Sequence, residues 1–377
     1  MNIDFSHIAD LFGTPTYVYD ASEIRKRIRM VCSVFKGHEF SILFALKANS
    51  NSALLRLMAE EGVGADVVSS GELVAAKRAG MKPVLWNGNG KTVQDKKFFV
   101  KQGFDILSLD SVEELEMWHD SDLVKLLRVN PNIDARTHPH ISTGMKHHKF
   151  GVAVEEIHKV ADKIDGLHVH IGSQITSVEP YRAAYTQLVE EIKKHNFKTL
   201  DLGGGWGIDY NGESLDIDQM RSVINTVFSG FSGRLIVELG RFIAGPAGSL
   251  LTRVVKVKKG EKTFIVTDAG MNNLIRPALY DAFHRIRVLE PVGPASLCDV
   301  VGPLCETGDK LGSNRYLELP AEGSLLLVED TGAYGFSMAS NYNGMPLPAE
   351  VMWEDNSPRL IRRRQTIEEM YSNVILD

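Results

Sequence analysis

Lys47 stands where an apolar run, Ser41-Ile42-Leu43-Phe44-Ala45-Leu46, comes to its end. Such a run reads as a buried strand, and an amine at its end is poorly solvated. Burial disfavours the ammonium, lowers its pKa and makes the amine a better nucleophile toward an aldehyde. Taken alone, a lysine here is better read as a strand end that points into water. Other groups in the chain shift that balance.

Gly203-Gly204-Gly205 follows the strand Thr199–Leu202 directly. Three glycines let backbone N–H groups approach an anion, and phosphate sites in closed barrels often follow the seventh and eighth strands. The plain alternative is a tight turn. No GxGxxG and no GxxxxGK[ST] occurs, so neither a dinucleotide nor a nucleoside triphosphate is indicated. His168 and His170 alternate along the strand Leu167–Ile171 and so share its inward face, ahead of Gly172-Ser173-Gln174. No third zinc ligand follows at suitable spacing, and no metal is expected. Glu238 and Arg241 close the strand Leu235–Glu238 in Val237-Glu238-Leu239-Gly240-Arg241. They read either as a rim ion pair, or as a carboxylate that keeps a proton on a ring nitrogen beside a guanidinium that grips an anion. Arg276 and Tyr280, Cys305-Glu306, and Tyr334 within Gly332-Ala333-Tyr334-Gly335 are each ordinary alone. Together these groups describe a pyridoxal phosphate site. Lysine takes the aldehyde, the glycines and Ser173 take the phosphate, and an acid holds the pyridinium nitrogen.

Eight strands must carry these residues. They read as Ser41–Lys47, Ala65–Ser69, Pro83–Asn87, Phe104–Leu109, Lys125–Val129, Leu167–Ile171, Thr199–Leu202 and Leu235–Glu238. Helices are expected between them, among them Ser52–Glu61, Glu72–Arg78, one near Val154–Lys163 and Tyr181–Lys194. Ser111-x-x-Glu114 has the form of a capping box. This β/α alternation predicts a (β/α)8 barrel over 21–250, with chemistry at the C-terminal ends of its strands; a doubly wound sheet is the rival. Residues 11–19 read as a turn and a short strand. Beyond residue 250 the texture changes to strands at Leu251–Val257, Thr263–Thr267, Leu325–Val328 and Glu350–Trp353, with turns at Gly260, Gly293-Pro294, Gly302-Pro303 and Gly323. A mostly-β domain is expected from 251–377 together with 1–20.

The 377 residues allow two or three domains, and 44% hydrophobic with 24% charged residues is an ordinary globular composition. A net charge of -6 offers no general attraction for nucleic acid or an anionic membrane, so a small-molecule substrate is expected. No apolar run is long enough to span a bilayer and no secretory signal is evident. Cys32, Cys298 and Cys305 are too few and too scattered for a disulfide framework, which fits a reducing cytoplasm.

The ordered set of motifs resembles the fold-type III pyridoxal phosphate decarboxylases along nearly the whole chain. The marks are Phe44-Ala45-Leu46-Lys47-Ala48-Asn49-Ser50, the segment from His138 to Gly151, His170-Ile171-Gly172-Ser173-Gln174, Gly203–Gly205, Asp268-Ala269-Gly270-Met271-Asn272, Arg276–Tyr280, Cys305-Glu306-Thr307-Gly308-Asp309 and Gly332–Gly335. The resemblance implies an alanine racemase-like barrel plus the β domain. It implies that Lys47 carries pyridoxal 5'-phosphate with Asp66 close by, and that His170 stacks on the ring. Glu238 pairs with the ring nitrogen, and Ser173, Gly203, Gly204, Gly205, Gly240, the backbone near Arg241 and Tyr334 hold the phosphate. Arg241, Arg276, Tyr280, Glu306 and Tyr334 hold the substrate, and Cys305 protonates the carbanion. It also implies a homodimer in which Cys305 and Glu306 reach the partner's site. One departure is plain: the family shows Glu-Pro-Gly-Arg where this chain has Glu238-Leu239-Gly240-Arg241.

Arg276 points to a substrate with a second carboxylate, since a buried guanidinium without one is costly. The expected reaction is decarboxylation of meso-2,6-diaminopimelate to lysine. The rivals are a decarboxylase of another amino acid with a distal anion, such as carboxynorspermidine, an amino-acid racemase, and a non-catalytic pyridoxal phosphate carrier.

Overall fold

A computed structural model of the chain describes residues 3–118, 121–134 and 149–375. The segment from His138 singled out above lies outside the described residues as far as 148. The chain divides into two compact units, one from Arg25 to Ile243 and one made of the stretch up to Ile24 with Ala244 onward.

The N-terminal stretch opens with helix α1 (Phe5–Phe12), capped by the Asp4 side chain, and strand β1 (Thr16–Asp20). The helix is missing from the turn-and-strand reading. Its apolar positions Ile8 and Ala9 pack on Val18, Leu251, Leu325 and Val351, which makes it part of the second unit's core. Helix α2 (Ala21–Val34) follows.

The first unit is the closed barrel. Its strands are β2 (Glu39–Ala45), β3 (Gly64–Val67), β4 (Val84–Trp86), β5 (Ile106–Leu109), β6 (Val124–Asn130), the two-residue β7 (Val152–Ala153) beside β6, then β8 (Gly166–Val169), β9 (Thr199–Asp201) and β10 (Arg234–Glu238). Eight of them pair in parallel in the order β5-β4-β3-β2-β10-β9-β8-β6, and β5 with β6 closes the ring. Leu43, Leu85, Ile106, Leu126 and Ile236 pack together in its core. Strands buried on both faces explain why the sequence shows continuous apolar runs here.

Several of the intervening helices begin at a side-chain cap. Asn51 caps α3 (Ser52–Glu60), Ser69 caps α4 (Ser70–Ala79), Thr92 and Asp95 form a capping box on α5 (Val93–Gln102), and α6 is short (Glu114–Trp118). Helices α7 (Glu179–His195) and α8 (Ile217–Val227) complete the set. Two local expectations fail. The segment after β7 is a 3-10 helix, Val154–Lys159, with Ile157 its one buried residue, too little apolar surface to hold a longer helix. Helix α6 starts at Glu114, whose carboxylate accepts from the Asp110 N–H (3.1 Å) and from Lys91 (3.0 Å) rather than closing a box on Ser111. A short helix α9 (Arg241–Ala244) leaves the barrel.

The second unit is a sheet built on β11 (Gly248–Lys258), β12 (Thr263–Thr267), β13 (Ile286–Val288), β14 (Pro291–Val301), β15 (Lys310–Pro320), β16 (Leu325–Val328), β17 (Ala349–Glu354) and β18 (Ser357–Arg362), with helix α10 (Arg276–Tyr280) between β12 and β13. Strand β1 lies inside this sheet, antiparallel to β11 and parallel to β17. The long hairpin of β14 and β15 was not expected, because Gly293-Pro294 reads as a turn. Both residues fall inside β14, at an irregularity of register between Pro291 and Ala295, the kind of place where a strand tolerates proline.

Candidate active site

The barrel strands deliver their unusual residues to one end, the C-terminal one, as the alternation predicts. Lys47 sits one residue past the start of a 3-10 turn, Leu46–Ala48, that follows β2. Its Nζ lies 3.7 Å from Asp66 Oδ2 on the neighbouring strand β3. The expected burial of this lysine does not hold: its side chain is 46% exposed, because the turn takes it out of the strand's in-and-out alternation. Asp66 itself is buried, and neither carboxylate oxygen has a hydrogen-bond partner among the described residues. Burial and then the charge of Glu238 raise its pKa to about 7, against a smaller opposing pull from Lys47.

Glu238, the last residue of β10, is the centre of a buried network. Asn87 Nδ2 donates to its Oε1 at 2.9 Å, and His168 Nε2 lies 3.5 Å from its Oε2. His168 Nδ1 in turn meets Ser108 Oγ at 2.7 Å. Burial alone would raise the Glu238 pKa; the His168 ring beside it, with Lys47 and His170 farther off, outweighs burial and holds it well below the usual carboxylate range. The fully buried Asp201, ending β9, is pushed the other way by its own burial and by the Glu238 charge. One carboxylate therefore holds the negative charge while its two neighbours bind protons more readily. Donor atoms of His168, Asp201 and Glu238 lie within 4.8 Å of one another. The sequence showed no third donor for His168, because Asp201 comes from the next strand and not from nearby in the chain.

His170 follows β8. The Gly204 N–H donates to its Nδ1 at 3.1 Å, so in the neutral ring the proton sits on Nε2. Burial, then the positive charges of Arg128 and Lys47, lower its pKa to about 3, which keeps the ring uncharged and its faces apolar. Arg128, a buried guanidinium on β6 with Asp110 Oδ1 at 3.8 Å, is a site residue absent from the sequence expectation. A charge inside the apolar run Leu126-Leu127-Arg128-Val129 was the available signal.

The glycine triplet does more for the chain than expected and less for an anion. A Cβ on Gly203 would lie 2.2 Å from the Val169 carbonyl oxygen, one on Gly204 1.7 Å from that of Glu238, and one on Gly205 2.1 Å from that of Gly172. Gly203 and Gly205 are also left-handed, with φ of 63° and 88°. Two of the N–H groups expected to meet a phosphate are engaged: that of Gly203 by Asp201 Oδ1 (2.9 Å) and that of Gly204 by His170. The glycines are there first because three strand ends crowd together.

Arg241, buried at the start of α9, donates to Ser173 Oγ (3.0 Å) and to the Tyr210 hydroxyl (2.9 Å). Tyr210, in the loop after β9, gave no signal in the sequence. Gly240 lets this corner pass the lysine turn, since a Cβ there would stand 2.7 Å from Ala48 Cβ. Leu239, which replaces the family's proline, donates its N–H to the Leu43 carbonyl at 2.9 Å, a bond proline lacks the hydrogen to make.

The remaining predicted residues belong to the second unit. Arg276 is buried at the start of α10, and Tyr280 ends that helix half-buried. Cys305 and Glu306 are exposed on the loop between β14 and β15, where Glu306 accepts from the Tyr342 hydroxyl at 2.8 Å. Asp309 ties that loop to the Asp268–Asn272 motif by accepting from the N–H groups of Leu304 and Met271, each at 2.7 Å. Tyr334 holds a left-handed backbone with φ of 59°, an uncommon setting for a tyrosine.

The barrel cluster suits pyridoxal phosphate. It offers an amine beside a buried, unsatisfied carboxylate, an ionised acid able to keep a pyridinium proton, a neutral ring for stacking, and a serine and arginine within reach of each other for a phosphate. Comparison with known proteins agrees. The family model for "Pyridoxal-dependent decarboxylase, pyridoxal binding domain" matches residues 21–245. The chain is 42% identical to the diaminopimelate decarboxylase of Pseudomonas aeruginosa, over 98% of this chain and 95% of that protein. It is 38% identical to the one from Zymomonas mobilis, over 98% and 94%. The crystal structure of diaminopimelate decarboxylase from Helicobacter pylori complexed with L-lysine matches with a TM-score of 0.94 at 36% identity, covering 98% of each chain. A lysine/ornithine decarboxylase from Vibrio vulnificus, 22% identical with a TM-score of 0.81, shares the fold. With a matched cofactor domain and relatives alike over almost its whole length, the chain belongs to the pyridoxal-dependent decarboxylases, in the diaminopimelate decarboxylase family.

Proposed function

We propose that this chain decarboxylates meso-2,6-diaminopimelate to L-lysine and carbon dioxide with pyridoxal 5'-phosphate as cofactor. The observation that carries the reading is the barrel cluster of Lys47, Asp66, Glu238 and His170, in a chain alike over 98% of its length to a diaminopimelate decarboxylase solved with L-lysine. When bound, the cofactor supplies an aldehyde that joins an amine and a ring that accepts the electron pair left by a departing carboxylate.

The chain's own residues then divide the work. Lys47 provides the amine that holds the cofactor, and Asp66 receives or returns a proton at that amine. Glu238, kept ionised, holds a proton on the ring nitrogen and so sustains the ring's pull on electrons. His170, its Nδ1 fastened to the Gly204 N–H, would offer its neutral ring as a stacking face for the cofactor. Ser173, Arg241, the backbone at Gly205 and Gly240, and Tyr334 grip the phosphate; the engaged N–H groups of Gly203 and Gly204 shape the cradle rather than donate to it. Arg276 takes the distal carboxylate in a charge-assisted pair, with Tyr280 beside it, and Glu306 takes the distal ammonium. Cys305 donates the proton that replaces the lost carboxylate. We infer a cytoplasmic homodimer in which Cys305 and Glu306 serve the partner's site. Among the described residues no helix is long and apolar enough to cross a membrane.

The test is release of carbon dioxide from meso-diaminopimelate by the cofactor-loaded protein, with the amino-acid product identified. No release, or a product that keeps both carboxylates as a racemase would leave it, overturns the reading. A substrate panel that includes carboxynorspermidine separates the neighbouring decarboxylases.

A further inference from the structure

His284 was no part of the expected site. It is fully buried, and it stands between Arg276 and the sheet of the second unit. Its Nε2 lies 2.7 Å from Arg276 Nη1, and its Nδ1 lies 2.9 Å from the Glu329 carbonyl oxygen. These two partners fix the ring's protons. A guanidinium only donates, so Nε2 must accept and carries no hydrogen; a carbonyl only accepts, so Nδ1 must carry one. The ring is neutral and in a single tautomer. A charged imidazole would turn a donor toward a donor.

The mounting is rigid at both ends. The Glu329 N–H donates to the Arg285 carbonyl at 2.9 Å, and Ile286 pairs with Val328 where β13 meets β16, so the carbonyl that holds His284 belongs to the sheet. At the other end, the residues from Arg276 to His284 turn back tightly. Asp281 closes α10 in a left-handed conformation, and the Ala282 N–H returns to the Arg276 carbonyl at 3.3 Å. The ring thus connects a fixed point of the sheet to one nitrogen of the guanidinium fork. An arginine has several rotatable bonds, and binding a planar carboxylate well requires that fork to be held in place beforehand.

We propose that His284 is a positioning residue that aims the Arg276 guanidinium at the distal carboxylate, and so sets selectivity for ligands that carry one. The inference rests on the proposed function, in which Arg276 meets that carboxylate. Calorimetric titration of the cofactor-loaded protein with L-lysine, which keeps the distal carboxylate, and with cadaverine, which lacks it, separates the two claims. The wild type should bind lysine more tightly. His284→Asn keeps a donor for Glu329 but falls short of Arg276. It should weaken lysine about tenfold, raise KM for diaminopimelate by a similar factor with a smaller change in kcat, and leave cadaverine within about twofold. His284→Gln extends an amide oxygen to Arg276 and should keep lysine within about threefold of wild type. Equal weakening of lysine and cadaverine in His284→Asn, or no weakening of lysine, overturns the proposal. So does a glutamine variant as impaired as the asparagine one. Should His284→Asn fail to fold, the glutamine variant alone decides: lysine affinity kept supports the role, and lysine affinity lost ends it. Wild-type protein that binds lysine no better than cadaverine overturns the substrate reading and this inference with it.

Discussion

The two units place their functional residues by different means. In the barrel, Lys47, Asp66, His170 and Glu238 stand near the C-terminal ends of parallel strands of one ring, and Asp66, Asp201, Glu238 and His168 share one buried set of charges and protons. No member can change without altering its neighbours' ionisation. In the β unit, Arg276 comes from helix α10, Cys305 and Glu306 from the β14–β15 loop and Tyr334 from a later turn, and each segment has its own local anchor: His284, Asp309 with Tyr342, or a left-handed backbone. A barrel end therefore behaves as one coupled device, while the β unit offers replaceable contacts. Substitutions in the first should be non-additive, and those in the second close to additive.

Four measurements can break or sharpen that contrast. The largest effect is expected at Lys47→Ala, which should remove the visible absorbance of the lysine-linked cofactor and take turnover to background; a retained band would mean that another lysine carries the cofactor. Next, Cys305→Ala should cut kcat about a hundredfold or more, as loss of a general acid does, with cofactor affinity unchanged. Equal loss of both in titration and steady-state assays would give Cys305 a structural place instead.

The third effect is a pH dependence. Asp66 is raised by burial, then by the charge of Glu238, to about 7 in the folded protein, against about 3.9 unfolded. The folded state then binds the extra proton, so this residue's contribution to the stability of the cofactor-free protein is present below about pH 4 and is lost as pH rises toward 7. Denaturant unfolding of the cofactor-free protein at pH 5 and pH 7.5 should show that loss. Asp66→Asn should flatten it, and Glu238→Gln should reduce it, because the coupling runs between them. An unchanged slope in Glu238→Gln would dissolve the idea of a single coupled device. The smallest effect is expected at Leu239→Pro, which removes the N–H to the Leu43 carbonyl. A cost of about 1 kcal/mol, read as a modest fall in Tm with KM unchanged, is the expected result.

What the sequence disclosed follows the same division. Strand ends are legible because most barrel strands are apolar runs that stop at a polar residue, and these runs alternate with helices, several of them capped. The partners that tune them were not. Asp201 reaches His168 from the neighbouring strand β9, Tyr210 reaches Arg241 from a loop, and His284 occupies an unremarked turn, Ala282-Phe283-His284-Arg285. Each contact joins positions whose neighbourhood exists only after folding. The exposure of Lys47 escapes the sequence pattern for a local reason: a single 3-10 turn after β2 breaks the alternation that would bury it. In the β unit, Gly293-Pro294 reads as a turn and hides the longest hairpin, because a bulge and a turn use the same residues.

Strand β1 has a consequence for synthesis. It is made before the whole barrel, yet both of its neighbours, β11 and β17, lie more than two hundred residues downstream. Throughout translation of the barrel, Thr16–Asp20 waits with two bare edges, and the sheet can close only once late segments return to it. A nascent chain that has emerged as far as about residue 240 would hold a complete ring of strands and an unmated ribbon, and that ribbon is the stretch for which a chaperone has most to offer.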